Sequence, residues 1–270
     1  MDRIPKVSFI MGIYNCAPTL QEALDSLYAQ TYRDFEIVLC DDGSTDDTYS
    51  IAEANAKAHP EMITLLRNDR NMKLAATLNR CISVARGEYL ARMDGDDISH
   101  PERLARQVAF LDAHPEYDLV STLLTRFDSR GVWMKSAVKK QEPDKRSLIF
   151  GVPFVHASCV MRRNAIDEIG NYTAAPKVER AEDVYLWYKF FKAGKRGYVL
   201  AELLYSMRDD RNAACRRRVA DRFRVVRLKY EILGGLGLGH WRPVVVYDAA
   251  KAFVPMMFVY KMKKFFSKCR

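Results

Sequence analysis

The chain has 270 residues, 49% of them apolar, with glycine and proline at ordinary counts of 13 and 10. That allows one large domain, or one domain with an appendage, and excludes a fibrous, low-complexity or disulfide-stapled small protein. The net charge of +9 is uneven: from Arg208 onward there are 16 Lys and Arg against 5 Asp and Glu, whereas the preceding 207 residues sum to −2.

A basic end points to a polyanionic surface, either nucleic acid or anionic lipid. The six cysteines (Cys16, Cys40, Cys81, Cys159, Cys215, Cys269) are scattered and make no Cys-x-x-Cys pair. They suit buried thiols in a reducing cytosol better than disulfides or a zinc site. Residues 1–6 lack the long apolar region of a signal peptide, so a cytoplasmic location is expected.

In chain order, Val7 to Ile13 is an apolar run suited to a buried parallel strand. Pro18 and Thr19 open a helix whose Leu20, Ala23, Leu24, Leu27 and Tyr28 recur three and four apart. Phe35 to Cys40 predicts a second strand, followed by the turn-forming Asp41-Asp42-Gly43-Ser44-Thr45-Asp46 and a helix to about Ala58. Met62 to Leu66 reads as a third strand, Leu74 to Arg86 as a third helix closed by Gly87, and Tyr89 to Met93 as a fourth strand. Strand and helix thus alternate four times, which predicts a doubly wound, mostly parallel α/β sheet with helices on both faces.

The second half is less regular. Pro101 to Ala113 predicts a helix, and Asp118 to Phe127 one bent strand or two short ones. Pro143 to Phe150 reads as a short helix, and Val152 to Met161 is an apolar segment containing His156. Asn164 to Ile169 is a short helix closed by Gly170. Glu182 and Asp183 open an aromatic helix reaching Ala193, and Tyr198 to Tyr205 is a last strand. The rest of the chain reads as helical and basic.

The fourth strand runs into Asp94-Gly95-Asp96-Asp97. Carboxylates this close raise one another's cost of ionisation, and a hard divalent cation such as Mg²⁺ or Mn²⁺ removes that cost. Alone the cluster is equally a solvated acidic turn. In doubly wound sheets, however, ligands sit at the carboxyl ends of strands. Asn15, Asp41-Asp42 and Asp94-Asp96 all fall at such ends, so three strands would send polar groups into one crevice.

Four segments in this order resemble the family 2 glycosyltransferases of the GT-A fold: residues 7–15 (VSFIMGIYN), 40–48 (CDDGSTDDT), 85–97 (ARGEYLARMDGDD) and 182–187 (EDVYLW). The resemblance implies an inverting transfer of a sugar from a nucleotide diphosphate donor, a UDP-sugar first, to a lipid-linked or cell-surface glycan. It places the nucleotide base at Gly12, Tyr14 and Asp42, ribose and metal at Asp94 and Asp96 with Asp97 as the alternative metal ligand, and the general base at Asp183. Gly12 stands where the family often has proline. Lys73 stands where it often has glycine, either reaching the donor phosphates or merely solvated.

His156 reads as a hydrogen-bonded core residue or an acceptor contact. Of Arg162 and Arg163, one is expected to face phosphate and the other solvent. Trp187 is expected in the core, and Arg208 near the diphosphate. The catalytic domain is expected over 1–205, with a nucleotide-sugar half (1–100) and an acceptor half (101–205), and a basic helical tail over 206–270. Val244 to Tyr260 contains Asp248, Lys251 and Pro255 and falls short of a membrane span. It fits an interfacial element that would hold the protein on an anionic membrane. A nucleotidyltransferase would need a Gly-rich, basic loop after the first strand, and Asn15-Cys16-Ala17-Pro18 is not one. A nucleic-acid-binding module would explain the tail but not the acidic cleft, and a dead scaffold would not keep every acidic motif.

Overall fold

The computed structural model describes residues 4–209 and 219–245, with side chains placed from residue 224 in the second stretch. The order of elements is β1 (Val7–Ile13), α1 (Ala17–Tyr28), β2 (Phe35–Asp41), α2 (Thr48–Ala58), β3 (Ile63–Arg67), α3 (Leu74–Val84), β4 (Tyr89–Arg92), β5 (Ile98–Ser99) and α4 (Arg103–Ala113). Then come β6 (Leu119–Asp128), β7 (Gly131–Lys135), α5 (Ser147–Phe150), β8 (Val160–Arg162), α6 (Arg163–Glu168), α7 (Glu182–Lys192), β9 (Gly197–Arg208) and α8 (Val219–Gly235).

All nine strands form one sheet in the order β3-β2-β1-β4-β8-β6-β9-β5, with β7 on the outer side of β6. The β3-β2-β1-β4 half is parallel, as its buried apolar strands predict. Beyond β4 the sheet is mixed: β8 runs antiparallel to both β4 and β6, while β9 runs parallel to β6. The two-residue β5 pairs Ile98 with Ser206 and Ser99 with Tyr205 of β9. That pairing ties the end of the Asp94–Asp97 turn to the last strand.

Alternation along the strands divides the core. Phe9, Met11, Ile37 and Leu39 point to one face, where Leu20, Leu24 and Leu27 of α1 and Leu104, Val108 and Leu111 of α4 cover them. Ile10, Val38 and Cys40 point to the other, beneath Leu78 and Cys81 of α3, Leu186, Trp187 and Phe190 of α7, and Leu228, Ile232 and Leu233 of α8. Trp187 is therefore core, as expected. Cys40, Cys81 and Cys159 are buried free thiols, and Cys16 is a half-buried one.

The expected basic tail divides in two. Helix α8 packs its leucines into the domain core, so this part of 206–270 belongs to the folded body. Arg216–Arg218 and residues 246–270, which hold most of the expected interfacial element, lie outside the described residues. Among the described residues no helix is long and apolar enough to cross a membrane.

Candidate active site

The loops at the carboxyl ends of β1, β2 and β4 are laced together. Asn15 adopts a left-handed turn (φ 47°) and its Oδ1 accepts from Thr45 N at 2.9 Å. Cys16 N donates to Thr48 Oγ1 at 2.8 Å, and Thr19 Oγ1 donates to the carbonyl of Gly95 at 3.1 Å. A Cβ on Gly95 would stand 2.9 Å from Cys16 Sγ and 3.0 Å from Ile13 Cγ2. Only glycine lets the aspartate turn lie this close to the end of β1.

Within that turn the three carboxylates have different tasks. Asp94 accepts from the guanidinium of Arg92 at 2.5 Å, and its backbone N–H donates to the Tyr205 hydroxyl at 3.3 Å. Arg92 is 1% exposed, so Asp94 is anchored from beneath by a buried charge. Asp97 is 2% exposed and faces inward: its Oδ1 accepts from Arg208 N at 2.8 Å, and Tyr205 also bonds to it. Burial, then the charges of Asp94 and Asp96, push its carboxyl up to about 8. Asp96 opens to solvent in the cleft although protein hems it in. Burial and then Asp94 push its carboxyl up to about 6.

These residues line a cleft of about 890 Å³ that also takes in Asp183, His156 and Arg208. Asp183 is the second residue of α7, whose backbone start favours negative charge there. Arg208 lies across the aspartate turn, its Nε donating to Asp96 O at 2.9 Å and its guanidinium also bonding Glu22. His156 Nε2 lies 2.7 Å from the Tyr172 hydroxyl, and its ring packs against Trp187. Burial first, then Arg92, holds His156 well below its ordinary pKa, so the ring is neutral. His156 is hydrogen-bonded, as one expectation had it, and it also forms part of the cleft wall.

A second cluster stands beside the cleft. Asp42 is buried and its carboxylate accepts three bonds: from Asn68 Nδ2 at 2.8 Å, Met72 N at 2.7 Å and Lys73 N at 2.9 Å. It thereby shapes the loop that starts α3. Gly12 lies against that helix, and a Cβ there would sit 3.2 Å from Thr77 Cγ2. Tyr14 is 45% exposed at the end of β1. Lys73 is exposed, has φ 72° and ψ 159°, and borders a hollow of about 190 Å³ together with Glu182.

The structure thus brings Asp94, Asp96 and Asp183 to one cleft, while Gly12, Tyr14, Asp42 and Lys73 lie outside its lining. Arg162 and Arg163 correct the expectation made for them. Arg162 donates to the carbonyls of Tyr117 and Leu111, and Arg163 to those of Gly87 and Ala85, so both tie the frame together. Sequence reasoning missed Arg92, Tyr205 and Asn68. Arg92 left a signal, a charge inside the otherwise apolar run Tyr89–Met93.

Two forward-facing carboxylates bear on a metal. Among the described residues no three His, Cys, Asp or Glu gather closely enough to hold an ion by themselves. Magnesium is commonly held by one or two carboxylates plus substrate phosphates and water. Asp94 and Asp96 fit a cation shared with a diphosphate, and do not fit an all-protein cage.

A parallel half, a mixed second half and an acidic cleft at the strand ends define a GT-A glycosyltransferase fold. The model of "Glycosyl transferase family 2" matches residues 8–170, and the chain belongs to that family and is a glycosyltransferase. It is 44% identical over 217 residues, 80% of this chain and 78% of the relative, to the putative glycosyltransferase EpsE of Bacillus subtilis. It is 34% identical over 106 residues to WfaP of Escherichia coli, a UDP-Glc:alpha-D-GlcNAc-diphosphoundecaprenol beta-1,3-glucosyltransferase, a match covering 39% of this chain and 41% of WfaP. Among solved structures, Staphylococcus aureus TarS (residues 1–349) with UDP-GlcNAc superposes with a TM-score of 0.70 at 24% identity, covering 92% of this chain and 73% of that one.

Proposed function

We propose that the enzyme is a metal-dependent inverting transferase that moves a sugar from a UDP-linked donor to a lipid-linked or cell-surface glycan. One observation carries this reading: Asp94, Asp96 and Asp183 face a single cleft. In it, Asp94 and Asp96 would hold Mg²⁺ or Mn²⁺, which would supply Lewis-acid charge for the diphosphate leaving group. The inward bonds of Asp97 favour Asp96 as the metal ligand. Gly12, Tyr14 and Asp42 form the base side and Asp94 and Asp96 also meet the ribose, with Lys73 reaching toward the phosphates.

Asp183 takes the proton of the acceptor hydroxyl as that oxygen attacks the anomeric carbon, opposite the departing diphosphate. One displacement from the face opposite the leaving group inverts the anomeric centre. The UDP donor and the lipid-diphosphate acceptor draw support from the activity for which WfaP is named. The catalytic domain is assigned to 1–205, its halves 1–100 and 101–205 serving donor and acceptor. Of the basic tail, 206–270, the part beyond α8 is assigned to an anionic membrane on the cytoplasmic side.

The test is calorimetric and needs no acceptor. UDP should bind in the presence of Mn²⁺ and raise the melting temperature, and both effects should collapse in excess EDTA and in Asp96→Asn. A ligand at 100 times its Kd adds about 2.7 kcal/mol of apparent stability. UDP binding unchanged by EDTA would remove the metal from the scheme.

A further inference from the structure

We infer that the mouth of the cleft is a membrane-docking lip, where Phe150 and Val152 enter the interfacial layer of an anionic bilayer and neighbouring cations meet its headgroups. Phe150 is 71% exposed and Val152 50% exposed, and both line the cleft that holds Asp96 and Asp183. The other exposed large apolar residues of the described chain, such as Ile4, Val84 and Val132, lie away from this cleft. Phe150 is held outward by its own helix, because Leu148 and Ile149 of α5 are buried at 3% and 1%. A fixed apolar pair beside a polar cleft marks an interaction site rather than a stray surface residue.

Charge selects the occupant. Lys139, Lys140, Lys145 and Arg146 surround the lip in sequence, and Lys139 and Lys140 line the cleft with it. The two carboxylates of this stretch are already matched, Asp144 by Lys140 at 2.6 Å and Glu142 by Arg196 at 3.2 Å. The balance is positive and suits anionic headgroups. The Phe150 ring meets the edge of Trp241 at 5.7 Å, adding an aromatic of the kind favoured at membrane interfaces. Four residues past Trp241 the described chain ends, and 246–270 carries Lys251, Lys261, Lys263, Lys264, Lys268 and Arg270 against Asp248 alone. The lip therefore lies close to the last described residues, and basic sequence follows them, so apolar and cationic parts are both available for interfacial binding. Docked this way, the cleft opens toward the bilayer, an arrangement whose use rests on the lipid-linked acceptor proposed above.

The experiment uses the full chain with phosphatidylcholine vesicles, with and without phosphatidylglycerol. Phe150→Ser/Val152→Ser should weaken binding to the anionic vesicles about tenfold, and the remainder, owed to the tail, should wash out with salt. Brominated acyl chains should quench Trp241 emission, a signal missing from Trp241→Phe. An intact melting transition shows that each variant is folded. If the double variant binds vesicles as the wild type does, or Trp241 is not quenched, the lip is not a membrane site and a protein partner becomes the better occupant. UDP stabilisation without vesicles reports the donor reading separately, so either reading can fail alone.

Discussion

Lys73→Gly should make the protein more stable and the donor bind less well. Lys73 has φ 72° and ψ 159°, a region occupied almost solely by glycine. Asp42 holds it there by accepting the N–H groups of Met72 and Lys73 at 2.7 and 2.9 Å. A non-glycine residue in such a conformation costs about 1–3 kcal/mol. Glycine removes that strain and returns about 0.4–1 kcal/mol as added freedom of the unfolded chain. The net gain is about 0.5–2 kcal/mol, or roughly 2–6 °C in Tm for a domain of this size. Loss of the ammonium would remove the phosphate contact proposed for Lys73. The side chain is exposed, so the low end of the usual range applies, about tenfold in Kd for UDP. Lys73→Ala is the control, keeping the strained backbone while losing the amine. Scanning calorimetry and UDP titration on the three proteins separate the effects. A Lys73→Gly protein that melts below the wild type would show that this backbone is not strained. Unchanged UDP affinity would take Lys73 out of the donor site.

Asp183→Asn keeps a side chain suited to a helix start but cannot take a proton. Transfer should fall about 10²–10⁴-fold with UDP affinity and melting temperature near wild type, and wild-type turnover would exclude the general-base role. His156 is held neutral in the fold, whereas the unfolded chain takes up a proton below its ordinary pKa of 6.5. Stability should therefore fall as pH drops below that value, by up to about 1.4 kcal/mol per pH unit, and His156→Gln should flatten the slope in urea melts. Equal slopes in both proteins would mean that the histidine is protonated in the fold. Gly95→Ala pushes a Cβ to 2.9 Å from Cys16 Sγ and should cost about 1–3 kcal/mol. Adding Cys16→Ala should recover part of it, and strictly additive losses would place the clash elsewhere.

The four βα repeats were legible because strands buried on both faces read as unbroken apolar runs of the right length. Strand β5 was not, since two residues carry no periodicity and their pairing depends on β9, some hundred residues on. Strand β8 begins only at the last two residues of the apolar segment 152–161 and ends on Arg162, so that run gave it no outline. Strand ends pointed to Asp94 and Asp96, but Asn15 and Asp41-Asp42, expected in the same crevice, do not line the cleft, and Asp183 was implied only by the family resemblance. The work of Asp42 could not be read, because its partners Asn68, Met72 and Lys73 lie 26 to 31 residues away in a loop without periodicity. Arg162 and Arg163 misled for a related reason. Their charge suggested an anion, whereas backbone carbonyls left open at the ends of α3 and α4 use it. In α8 the run of Arg and Lys drew notice away from Leu228, Ile232 and Leu233, which fix that helix to the domain.

Strand β4 pairs with β1 on one side and β8 on the other, so the parallel half of the sheet and its mixed half are one continuous ladder. Two lobes joined by a linker can rock open and shut; two halves of one sheet cannot, because rotation at the seam would break rows of backbone hydrogen bonds. The spacing between Asp94, on the loop after β4, and the β6–β9 half is set when the sheet forms. Opening and closing of the cleft would then fall to the loops over the strand ends, chiefly residues 136–152 at the rim. Substitutions that tune turnover without touching chemistry should gather in those loops, and changes within β4 or β8 should act on every step together.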